Sequence, residues 1–65
     1  MSKIKHINLS RDELEALKLC DLDELTQEEA GSSMGVSRGT VQRILAAARK
    51  KVAMALTQGG AIIFK

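Results

Sequence analysis

The sequence has no proline, no tryptophan and no tyrosine, and only one phenylalanine, one cysteine and one histidine in 65 residues. Each absence excludes something. A single cysteine cannot close an intramolecular disulfide, and with a lone histidine it falls short of a metal site, so no metal and no cofactor is expected. The near absence of aromatic rings removes the stacking platforms that single-strand and RNA-loop binders use. The apolar runs are far too short to span a membrane and no targeting segment is visible, which predicts a cytoplasmic protein without a membrane partner. No acid follows Glu29. What remains for a core is Leu, Ile, Val, Ala and Met, in a chain of single-domain size whose core is small.

The charge is divided along the chain. All eight acids fall between Asp12 and Glu29, whereas six bases, Arg38, Arg43, Arg49, Lys50, Lys51 and Lys65, follow them. The formal net charge of +2 therefore conceals an acidic first half and a basic second half. A basic half suits a polyanion. Helix ends also favour acids early and bases late, but that preference reaches only a turn and does not empty the whole second half of acids.

The stretch from Thr26 to Leu45 carries the densest set of constraints. Thr26 and Glu29 have capping-box spacing, which marks a helix start. Ala30 and Met34 lie one turn apart and can face a core. Gly35 stands where a tight turn needs positive φ. Ser37 is a good N-cap for the next helix, with Val36 and Val41 at staple positions. Val41, Ile44, Leu45 and Ala48 then repeat at the spacing of one buried face, opposite Gly39, Thr40, Gln42 and Arg43. The pattern predicts a helix-turn-helix.

Around it the elements are simple. Lys3 to Leu9 is β-prone. Ser10 and Glu13 form another capping box, opening a helix to about Asp21 with Leu14, Leu17 and a buried Cys20 on its inner face. Asp21 to Leu25 is a connector whose leucines are expected under the core. The second helix spans about 27–33 and the third about 38–57, with Val52, Ala55 and Leu56 extending its apolar face. Gly59 and Gly60 end it, and Ala61 to Phe64 is a short strand. The fold expected for residues 1–65 is a single mainly α domain, three helices with a long third one, whose terminal strands pair within one chain or between two. An apolar strand edge, a long helix and a small core favour a homodimer.

In this arrangement Ser37, Arg38, Gly39, Thr40, Gln42 and Arg43 are the candidate base contacts on double-stranded DNA. Gln42 pairs bidentately with adenine, arginine with guanine, and Gly39 lets the backbone approach closely. Thr26 and Gln27, at a helix start, and Arg49, Lys50 and Lys51 are the candidate phosphate contacts. Four to six such contacts give a log–log salt slope of about −4 to −5. Gln42 and Arg43 also suit an ordinary solvated face, and the three later bases also complement a helix C-terminus. No nucleophile with a base, metal constellation or phosphate-cradling loop is present, so no enzyme is expected.

The segments Asp12-Glu13-Leu14-Glu15-Ala16-Leu17-Lys18-Leu19, Gln27-Glu28-Glu29-Ala30, Met34-Gly35-Val36-Ser37-Arg38, Arg43-Ile44-Leu45 and Ala48-Arg49-Lys50-Lys51-Val52-Ala53 resemble, in order and spacing, the small predicted DNA-binding proteins grouped as domain of unknown function 134. The resemblance runs from Leu9 to about Phe64. The helix-turn-helix also resembles the promoter-reading fourth region of bacterial sigma factors. The resemblance implies a prokaryotic DNA-binding protein, a transcriptional regulator, with Ser37 to Arg43 at the groove. Many members carry a cysteine-containing segment ahead of the first helix, and no metal- or redox-sensing role of that segment is carried over here. Gly31 stands where an alanine pair is expected, keeping the helix crossing close but loosening the helix by about 1 kcal/mol.

Two other functions fit the same pattern. One is a protein-interaction module of sigma-like fold, with the acidic first helix facing a basic protein partner. The other is a nonspecific architectural DNA binder.

Overall fold

The computed structural model describes residues 6–64. Its order is β1 (His6–Leu9), α1 (Arg11–Leu17), a π-helical turn (Lys18–Leu22), α2 (Gln27–Met34), α3 (Arg38–Gln58) and β2 (Ala61–Phe64). The fold is mainly helical, with a long third helix and two short strands, as the sequence pattern predicts. Lys3 to Lys5 of the expected first strand lie outside the described residues.

Local chemistry sets the helix starts. Ser10 and Thr26 each accept a hydrogen bond from the N3 amide, and the Glu13 and Glu29 carboxylates each accept one from the cap's own N–H, so both capping boxes are closed. Ser37 caps α3 by accepting from the Thr40 amide. Gly35 ends α2 at φ 74°, a left-handed conformation that costs glycine nothing.

The long helix α3, about 31 Å at the usual rise, is the spine. Its Val41, Leu45, Ala48 and Ala55 are buried, with Ile44 and Val52 half-buried. Against this stripe pack Ala16 of α1, Ala30 of α2, and Ile7 and Leu9 of β1. Alternation puts Ile7 and Leu9 inward and His6 and Asn8 outward. The strands pair within the chain and run parallel, with Ile7 opposite Ile62 and Leu9 opposite Phe64. Parallel pairing needs a crossover, and the whole helical array supplies it.

Four expectations are corrected here. Leu14 is 41% exposed, and the inner positions of α1 are Glu13 and Ala16, with Leu17 and Cys20 half-buried. An acid can occupy that inner edge because Ser10 and Lys51 both hydrogen-bond to it. Leu22 is 73% exposed instead of tucked under the core. The chain through Leu22 is a π-helical turn, closed by the Asp23 amide on the Lys18 carbonyl, where a connector was expected, and it leaves the Leu22 side chain uncovered. Leu56 is likewise 79% exposed, leaving Val52 and Ala55 to carry the inner face of the second half of α3. Cys20 is half-buried rather than fully enclosed.

Candidate nucleic-acid interface

The α2–turn–α3 unit is held at one close crossing. A Cβ placed on Gly31 would lie 2.6 Å from the Val36 carbonyl oxygen, with Ser37 and Arg38 backbone atoms just beyond. The Val36 amide donates to the Gly31 carbonyl at 2.9 Å. Backbone thus packs on backbone where α2 ends and α3 begins. Only glycine permits the contact as it stands, so Gly31 is demanded by the geometry and is more than a tolerated small residue.

The crossing fixes which face of α3 looks outward. With Val41, Leu45 and Ala48 inward, helical periodicity places Gly39, Gln42, Arg43, Ala46, Ala47 and Lys50 on the opposite side, and all six are exposed. α3 contributes no acid to that face, and Asp12 and Glu13 of α1 border it at Arg43 and Ala47. Its centre is shallow, because glycine and alanine alternate with three longer side chains. Gly39 differs from Gly31. Nothing lies within 4 Å of a Cβ built on it, and its φ is not positive. Glycine inside a helix costs about 1 kcal/mol relative to alanine, and nothing within the described residues requires it at this position.

The other candidate base contacts are placed differently. The Ser37 and Thr40 hydroxyls lie 2.9 Å apart and serve the cap, leaving each less free for an outside partner. Thr40 is half-buried. Arg38 borders a concavity of about 620 Å³ that it shares with Thr26, Gln27, Glu28, Glu29 and Ser32. It therefore sits with the candidate phosphate contacts at the start of α2, apart from the line through Gln42 and Arg43. The start of α2 is itself partly anionic. The Thr26 backbone and side-chain hydrogen bonds hold the Glu29 carboxyl below its ordinary value, and that carboxylate already caps the helix.

The three later bases also part company. Lys50 is exposed on the outward face. Arg49 is engaged by Asp21, through Nη2–Oδ1 at 2.6 Å and Nε–Oδ2 at 3.2 Å. Lys51 donates to Glu13 Oε1 at 2.8 Å. Lys51 lowers the Glu13 carboxyl below its ordinary value, aided by the Ser10 backbone hydrogen bond and opposed by burial. Arg49 does the same to Asp21. Sequence reading identified Glu13 as a cap but missed both acids as partners of α3, since the pairs join residues 28 and 38 positions apart. Among the described residues no group of His, Cys, Asp and Glu is placed to hold a metal ion, and no helix is long and apolar enough to cross a membrane.

The family model described as "Protein of unknown function DUF134" matches residues 1–65. A UPF0251 protein of Halothermothrix orenii is 53% identical over 62 residues, covering 95% of this chain and 46% of that protein. A UPF0251 protein of Thermococcus kodakarensis is 58% identical over 57 residues, covering 88% of this chain and 50% of that protein. A third, from Shewanella halifaxensis, is 50% identical over 62 residues, covering 95% and 65%. The chain spans about half the length of the first two relatives. No solved structure matches it.

Proposed function

This chain belongs to the DUF134 family, and we propose that it binds duplex DNA sequence-specifically, with the start of α3 in the major groove, as a prokaryotic transcriptional regulator acting as a homodimer. The observation that carries the reading is Gly39. It is exposed, helical and sterically unconstrained from within, beside Gln42 and Arg43 on a face to which α3 contributes no acid. A helix that gives up stability there leaves room for something outside the chain, and a base-pair edge approached by the backbone is a fitting occupant. Gln42 and Arg43 offer the side chains that distinguish adenine and guanine. Arg38 and Lys50 supply charge at the two ends of the contact.

Selection of binding sites from a random duplex pool at physiological salt tests this. The expected result is an enriched inverted repeat with half-sites a helical turn apart. The Gln42→Ala, Arg43→Ala double variant should lose the enrichment while keeping salt-sensitive binding. A pool that stays unenriched refutes sequence-specific recognition.

One observation favours a second reading, a protein-interaction module. Leu14, Leu17 and Leu22 line an open apolar surface beside Lys18 and Asp21. Such a module would bind duplex no better than any basic surface does, and the same selection separates the two.

A further inference from the structure

Two ion pairs reach α3 from neighbouring elements, and they are not equivalent. Arg49 and Lys51 lie on opposite flanks of the helix, with Lys50 between them on the outward face. The Lys51–Glu13 pair is largely enclosed, the Glu13 side chain being 10% exposed and also accepting from the Ser10 amide. Breaking it would strand a carboxylate at the inner edge of α1. The Arg49–Asp21 pair is open, with side chains 56% and 39% exposed. Asp21 engages the guanidinium through two contacts, the geometry in which arginine also grips a phosphate.

We propose that Asp21 is a built-in phosphate mimic that occupies Arg49 and so keeps it off the DNA backbone, limiting the number of phosphates α3 neutralises. The proposal rests on the duplex-binding reading above. It assigns Arg49 a role opposite to the one its sequence position suggests, since a base next to the recognition face is withheld from the ligand by an acid 28 residues earlier. The carboxylate is charged throughout the neutral range, because Arg49 holds it below its ordinary value of 3.8. Removing Asp21 frees the guanidinium on a flank of α3 beside Lys50. The cost to the fold is small, because half-exposed ion pairs contribute little to stability.

The salt dependence of duplex binding reads this directly, since its log–log slope counts the phosphates neutralised, about 0.9 for each. Wild type, Asp21→Asn, Arg49→Ala and the double variant are titrated on one labelled mixed-sequence duplex by fluorescence anisotropy, after circular dichroism shows each folded. The slope should steepen by about 0.9 in Asp21→Asn. It should be unchanged in Arg49→Ala and return to the wild-type value in the double variant. The double variant keeps the altered net charge at position 21, so its return separates release of Arg49 from loss of an acid. A shallower slope in Arg49→Ala alone means that Arg49 already sits on a phosphate and overturns the proposal. So does an unchanged slope in Asp21→Asn when the wild type binds. Absence of duplex binding in all four overturns the functional reading and this inference together.

Discussion

Replacing Gly39 with alanine should make the protein more stable and worse at binding. The stabilising half follows from the helix. Position 39 is helical, its φ is not positive, and a Cβ there meets nothing within 4 Å. Alanine is favoured over glycine by about 1 kcal/mol in a helix interior, partly because the unfolded chain loses freedom, and by somewhat less in a first turn. A gain of about 0.5–1 kcal/mol corresponds to about 2–8 °C in Tm for a domain of this size. The binding half follows from the exposed face of α3 on which the residue lies. If the backbone at Gly39 approaches base edges, an added methyl must displace the helix or lose the contact. We expect at least a tenfold weaker Kd for the selected duplex, about 1.4 kcal/mol, and a larger loss for Gly39→Leu. Thermal melts followed by circular dichroism and anisotropy titrations on the same preparations supply both numbers. A variant that is stabilised and binds undiminished, with Gly39→Leu equally unaffected, refutes the placement of this turn in the groove. A destabilised Gly39→Ala refutes the statement that the fold does not need the glycine.

Gly31 should respond in the opposite sense. A Cβ 2.6 Å from the Val36 carbonyl forces the turn to move, so Gly31→Ala should lower Tm in spite of its better helix propensity, and Gly31→Val should lower it further. Glu13→Ala removes an inner-edge carboxylate that caps α1 and receives Lys51, and should cost about 2 kcal/mol in denaturant titration. Glu13→Gln, which can still close the capping box, should cost less. Because the folded-state Glu13 carboxyl titrates below its ordinary value of 4.5, its contribution is complete above that pH. It fades as pH falls through the lower folded-state value, so the gap between wild type and Glu13→Gln should close in that acidic window. A gap that widens there would contradict the assignment.

The candidate interface was legible in the sequence to the extent that its signals are local. Thr26 with Glu29, Ser10 with Glu13, Gly35 and Ser37 act within one turn of chain, so their spacing alone announces the helix starts and the stop at the end of α2. The buried face of the first half of α3 was legible for a similar reason, since Val41, Leu45 and Ala48 repeat at the helical period and the outward positions from Gly39 to Lys50 are polar or small. Leu14, Leu22 and Leu56 misled because an apolar side chain is buried only where another element covers it. Leu14 and Leu22 border one open apolar surface with Leu17, and no element among the described residues covers Leu56.

Amino-acid order by itself determined the helix-turn-helix, its caps and turn, because each depends on contacts a few residues apart, and it determined the division of charge, which is a matter of composition along the chain. Only the tertiary structure decided that the terminal strands run parallel within the chain and that Gly31 is compulsory where Gly39 is not. It also decided that Asp21 and Glu13 hold Arg49 and Lys51. Those outcomes depend on which surfaces meet when α1 and α2 close on α3, and residues distant in sequence acquire partners only through that closure.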